Sequence, residues 1–154
     1  MTEFIHKEAF NLLCLDLIGG GSARQVYTSA IRPDCVVKVE SGAKSFQNVA
    51  EWQVWQEVKD TPMAKWFAPC VDISPSGSVL LMKRTEPAPA SMYPRRVPGF
   101  FTDLKRENWG MYEGRMVCCD YGVSNLLSCG MTAGTIAAKW WALDAYGFVP
   151  KGAN

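Results

Sequence analysis

Apolar and polar positions alternate in short blocks along most of this chain. Leu12 to Ile18 is a brief apolar run ending in Gly19-Gly20-Gly21-Ser22, which predicts a strand that opens into a glycine turn. Gln25 to Ile31 predicts a second strand and Cys35 to Glu40 a third, with Arg32-Pro33-Asp34 as the turn between them. The period then changes. Lys44 to Lys59 has helical spacing and is stopped by Thr61-Pro62, and Glu51, Val54, Trp55 and Val58 fall on one face of that helix. Cys70 to Ile73 and Ser78 to Lys83 predict a hairpin across Ser74-Pro75-Ser76-Gly77. Pro87, Pro89, Pro94 and Pro98 crowd Thr85 to Gly99 too closely for a helix or central strand, so that stretch reads as an irregular connector. Arg115 to Cys119 predicts a short strand, and Thr132 to Tyr146 a helix closed by Gly147. The fold class that follows is α+β, a mainly antiparallel sheet carrying one helix.

At 154 residues the chain has the size of one domain, with 48% hydrophobic and 20% charged residues, as in a folded globular protein. Sixteen basic against fifteen acidic residues leave a formal charge of +1, which argues against nucleic acid as a partner. No apolar run reaches membrane-spanning length, and the first residues lack the charged-then-apolar pattern of a signal peptide. A cytoplasmic protein with no membrane partner is the expectation. The six cysteines include no C-x-x-C pair and the chain has one histidine, His6, so zinc and histidine-based triads are disfavoured. Cys35 beside Val36-Val37, and Cys118-Cys119 after Val117, read as buried, reduced thiols.

Three groups of residues carry chemistry. The turn Ile18-Gly19-Gly20-Gly21-Ser22-Ala23-Arg24 joins two strands. With no Cβ in the way its backbone N–H groups can approach a phosphate, although a triple glycine also serves as a plain hairpin turn. It is not a P-loop, because no Gly-Lys-Ser/Thr follows and the next element is a strand. Lys38 ends an apolar Val36-Val37 stretch, so its charge needs an anion or an outlet to solvent. Glu51 on the next helix is a natural partner, or else a solvated carboxylate. Glu57 is a rival off the Val54/Trp55/Val58 face. The third group is Phe101-Thr102-Asp103-Leu104-Lys105-Arg106-Glu107-Asn108, with Asp120-Tyr121-Gly122 following twelve residues after Asn108.

This third group resembles the catalytic loop and metal motif of protein kinases, Asp-Leu-Lys-x-x-Asn and Asp-Phe-Gly with Tyr for Phe. The glycine turn, Val-Val-Lys and helix glutamate precede it in the family's order. The resemblance implies a kinase-like N-lobe at 1–84, a hinge and connector at 85–99, and a strongly reduced C-lobe at 100–154. It is also similar to the miniature kinase-like proteins of some tailed bacteriophages, to which Asn48-Val49-Ala50-Glu51-Trp52 and Asn108-Trp109-Gly110 contribute. A phage protein would work in the host cytoplasm.

The resemblance implies ATP and Mg²⁺ as cofactors and a role for each residue. Gly19, Gly20, Gly21, Ser22 and Val26 would cover the nucleotide, and the chain following Leu81-Met82 would meet adenine. Lys38, oriented by Glu51, would hold the phosphates; Asp103 would position the acceptor hydroxyl; Lys105 would neutralise charge on the transferred group; Asn108 and Asp120 would bind the metal.

The departures are equally specific. Arg24 stands where a third loop glycine is usual, altering loop closure or itself reaching phosphate, and Phe101-Thr102 replaces His-Arg before Asp103. Only Thr85 to Phe100 lies where two helices usually fit, and 32 residues follow Gly122, with no Ala-Pro-Glu motif. Trp140-Trp141, Phe148 and Phe100-Phe101 therefore form either a small core or a surface for a partner, including a second copy of the chain. Three functions follow: a small Ser/Thr protein kinase, a pseudokinase-like module that binds and modulates a protein, and, less well matched to Lys105, a small-molecule kinase.

Overall fold

A computed structural model describes residues 2–21, 23–40, 46–122, 124, 126–131 and 134–141. Ser22, Phe148 and residues 132, 133 and 142–146 lie outside them.

The centre of the fold is a five-stranded antiparallel sheet of order β1-β2-β3-β5-β4, formed by β1 (Leu17–Gly20), β2 (Arg24–Thr28), β3 (Cys35–Glu40), β4 (Cys70–Ile73) and β5 (Val79–Lys83). Alternation along the strands sets the two faces. Val26 lies opposite Lys38 and Lys38 opposite Leu80, while Val36 lies opposite both Thr28 and Met82, so these side chains share one face. Helix α2 (Gln47–Val58) covers that face with Asn48, Glu51, Val54 and Val58 buried, and Glu57 exposed. On the other face Phe10 of helix α1 (Thr2–Leu13) meets Tyr27 edge-on, ring centroids 5.7 Å apart.

Beyond the sheet, β6 (Arg96–Pro98) pairs with β9 (Thr135–Ala137), and β7 (Trp109–Tyr112) pairs with β8 (Arg115–Cys118). Helix α3 (Leu126–Cys129) is a single turn. An aromatic cluster ties these parts to the sheet. Phe67 stacks on Phe100 and meets Phe101 and Tyr121; Phe101 and Trp140 both lie against Trp109. Phe100, Phe101 and Trp140 are therefore core residues, with relative exposures of 2%, 4% and 6%. All cysteines whose side chains are described are free, and burial raises the thiol pKa of each.

Several expectations need correction. Leu12 to Ile18 is not one strand: α1 runs through Leu13, because Thr2–Leu13 has no glycine or proline to break it, and pairing starts at Leu17. The second strand ends at Thr28, short of Ile31. The connector is less irregular than its prolines suggest, holding a 3₁₀ turn (Ala90–Met92) and β6, which admits Pro98 at its end. Thr135–Ala137, expected as helix, is a strand because β6 offers it a free edge. Among the described residues no helix is long and apolar enough to cross a membrane.

Candidate functional site

The sequence folds around Lys38 for a simple reason. Its strand is apolar up to this position (Cys35, Val36 and Val37 are all buried), so the ammonium on the covered face must be neutralised there. Glu51, one helical turn before Val54 on the covered face of α2, supplies the anion. Lys38 Nζ donates to Glu51 Oε1 at 2.8 Å and to Oε2 at 3.0 Å, and it also donates to the backbone carbonyl of Cys119. Glu51 is fully buried and Lys38 is 3% exposed, so this is a desolvated pair.

A second cation shares the same carboxylate. Arg24 stands at the start of β2, on the same face as Val26 and Lys38. Its Nη1 donates to Asn48 Oδ1 and to Glu51 Oε2, each at 3.1 Å, and its Nη2 lies 2.8 Å from Glu51 Oε1 and 3.0 Å from Asp120 Oδ1. Burial lowers the Arg24 pKa, but Glu51 beside it, with Asp120 and Glu40, more than offsets this and holds it above its ordinary value. Asn48 anchors the group further by donating from Nδ2 to the carbonyl of Lys38. Two cations and two carboxylates thus form a neutral cluster spanning β2, β3, α2 and the segment after β8.

This cluster floors a cleft of about 620 Å³. Gly19, Gly20 and Gly21 form one lip, Val26 and Val36 the apolar wall, Lys83 and Thr85 the far edge, and Lys105, Asn108 and Asp120 the opposite side. At Gly20 a Cβ would stand 3.1 Å from the Arg24 carbonyl, so the turn closes tightly only without one. Gly122 plays the same part across the cleft, where a Cβ would come within 3.0 Å of the Gln47 carbonyl, so the Asp120 segment can lie against the start of α2. Asp103 sits outside the main cleft. It lines an adjoining narrow crevice with Asn108, Asp120 and Tyr121, and its Oδ1 accepts a 3.0 Å hydrogen bond from Trp141 Nε1. Lys105 lies 5.9 Å from the Trp141 ring centroid.

The candidate residues that are described are therefore gathered with one exception. Gly19, Gly20, Gly21, Val26, Lys38, Lys105, Asn108 and Asp120 line the cleft, Glu51 lies beneath it, and Asp103 lies beside it. Met82 shares the face of Lys38 but is fully buried in the core and does not line the cleft, which is reached instead by Lys83 and Thr85 after it. The inward turn of Arg24 and the roles of Asn48 and Trp141 were not anticipated. Asn48 lies one helical turn before Glu51, so its position on the same face was legible in the spacing.

Asn108 and Asp120 suit a divalent cation as a two-residue donor set that phosphate oxygens would complete. The Asp120 side chain is 44% exposed, so it can be reached from the cleft although Arg24 already holds one of its oxygens. Of the charged residues lining the cleft, Arg24, Lys38, Lys83 and Lys105 are basic and Glu107 and Asp120 acidic, but Glu51, Asp120 and Asp34 pair with three of the four cations, so the lining carries no large net charge. Comparison of the sequence with protein-family models and with curated proteins finds no significant match to either.

Proposed function

We propose that this chain is a small kinase-like phosphotransferase that takes ATP in the Gly19–Gly21 cleft and transfers its γ-phosphoryl group to a hydroxyl, most naturally that of a protein Ser or Thr. The observation that carries this reading is the buried Lys38–Glu51 pair at 2.8 Å, set under a glycine turn in the same cleft as Asn108 and Asp120. A lysine fixed in this way presents a rigid positive charge to the α- and β-phosphates, and backbone N–H groups of the turn supply further donors.

On this reading the sheet with α2 is the N-lobe of the protein kinase fold, and 100–154 is its reduced C-lobe. Asp103 would orient the acceptor hydroxyl and take its proton as the new O–P bond forms and the bond to the leaving ADP oxygen breaks. Lys105, on the cleft side of the same loop, would hold the transferred group. Asn108 and Asp120 would hold Mg²⁺, which when bound neutralises phosphate charge. The protein substrate would dock on surfaces outside the cleft or on a second copy of the chain.

A second reading has its own observation. Both carboxylates that transfer requires are engaged by the chain itself, Asp120 by Arg24 and Asp103 by Trp141. A module that binds and modulates a host protein, using the fold as scaffold, fits that arrangement.

The deciding experiment follows labelled γ-phosphate from ATP with Mg²⁺ to the protein itself and to a bacterial lysate, for wild type, Asp103→Ala and Asp120→Ala. Label present in wild type and lost in both variants supports the phosphotransferase. No label from folded wild type moves the assignment to the binding module.

A further inference from the structure

The position of Arg24 bears on how the cleft handles charge. Its side chain is 6% exposed, and both Nη atoms are engaged by an amide and two carboxylates from two parts of the fold, Asn48 and Glu51 of α2 and Asp120 after β8. A guanidinium cannot give up its proton under ordinary conditions, and its planar fork matches this set of acceptors. Freeing it would leave the fully buried Glu51 with one cation rather than two and Asp120 with no cation within ion-pair distance among the described residues, so it is a fixed part of the floor rather than a mobile arm.

That fixed charge sits on Asp120 Oδ1, 3.0 Å away, and Asp120 is one of the two residues suited to a divalent cation. A dication approaching Asp120 meets a carboxylate already neutralised on one oxygen, with the Lys38 ammonium held against the same Glu51 that binds Arg24. A nucleotide approaching the cleft finds Arg24 and Lys38 in place beneath the glycine turn. We propose that Arg24 is a built-in cation that neutralises Asp120 as a divalent ion otherwise would, so that nucleotide binding depends little on a metal and Arg24 sets that independence. The inference rests on the nucleotide-binding reading of the cleft and adds a specificity-determining residue to it.

The test measures ADP binding by calorimetry to wild type and Arg24→Gln, in excess EDTA and in excess Mg²⁺, with Mn²⁺ binding to the nucleotide-free proteins followed by electron paramagnetic resonance. For wild type the ADP affinity should differ by less than about threefold between EDTA and Mg²⁺. For Arg24→Gln it should fall about tenfold or more in EDTA and recover with Mg²⁺, while Mn²⁺ binds more tightly than to wild type, because Asp120 is released. A wild-type affinity that drops tenfold or more in EDTA overturns the inference, as does an Arg24→Gln ratio equal to that of wild type. Folded wild type that binds no ADP under either condition refutes the nucleotide site itself, a result distinct from full metal dependence. Should Arg24→Gln fail to fold, the wild-type ratio still decides. Asp120→Asn then adds an independent arm: it should bind ADP in EDTA more tightly, since a repelling charge has gone, and weaker binding than wild type there overturns the inference.

Discussion

Glu51 is the residue on which the site's electrostatics turn, and replacing it tests them directly. In Glu51→Gln the side chain keeps its length and one carbonyl oxygen but loses the charge that faces Lys38 at 2.8 Å and Arg24 at 2.8 Å. Both cations are buried, Arg24 at 6% and Lys38 at 3% exposed. Removing one partner of a buried pair costs about 3–5 kcal/mol, because the other is left as an uncompensated charge. Here one carboxylate serves two cations, so the upper part of that range applies. For a domain of this size about 2–4 °C of Tm is lost per kcal/mol, so a fall of about 10 °C or more is expected.

Lys38→Met provides the contrast. It also breaks the 2.8 Å pair, but Glu51 keeps Arg24 as its counter-ion. The Cys119 carbonyl loses a donor, a cost of about 1–2 kcal/mol. The assay is urea unfolding followed by circular dichroism, with thermal melts as a check. The ranking is the result that matters: Glu51→Gln must be the more destabilised by at least about 2 kcal/mol, given the difference between those two costs. Equal losses, or a Glu51→Gln protein that melts within 2 °C of wild type, would refute the view that this carboxylate neutralises two buried cations.

Other consequences follow from the same contacts. Met82 belongs to the core, so Met82→Ala should cost about 2–5 kcal/mol in urea unfolding while the ADP affinity of the folded protein changes less than about threefold. Burial pushes the Cys70 thiol up to about 12, above its value in the unfolded chain, so its contribution is intact below about pH 8.5 and is lost as pH rises towards 12, by at most roughly 4 kcal/mol. Urea midpoints at pH 8 and pH 10.5 should therefore drop for wild type and drop less for Cys70→Ala; an equal drop would show that this thiol plays no part. Trp141→Phe keeps a ring beside Lys105 but removes the N–H held by Asp103. Transfer to an added peptide should rise severalfold, as expected for release of a hydrogen bond of about 1 kcal/mol, and an unchanged rate would mean that the bond does not restrain Asp103.

The parts of the fold that were legible in the sequence are those where local signals agree. β3, β4 and β5 show apolar runs bounded by turn residues, and α2 shows a covered face, so the pairing of Lys38 with Glu51 could be expected before any coordinates. α1 was hidden because its apolar residues are poorly covered: Ile5 and Leu12 are 70% and 55% exposed, and among its described side chains Phe10 alone makes a ring contact with the sheet. β7 was hidden by its turn. Glu113 and Gly114 both have positive φ, 48° and 77°, as a two-residue hairpin of mirror-image type requires, but glutamate is an unusual occupant of the first position. β9 is short and finds its partner about 39 residues away in β6, a pairing that no local pattern encodes.

The site divides along the same line. Placing Arg24 in the turn rather than at the first position of β2 detaches it from the strand alternation, and its side chain then has no assigned direction. With the strand starting at Arg24, the register opposite Glu40 and the neighbouring Val26–Lys38 pair put its guanidinium on the covered face beside Glu51. A motif comparison treats this residue as a missing glycine. Its charge, burial and acceptors make it a structural part of the floor of the cleft, where it ties β2 to α2 and to the Asp120 segment.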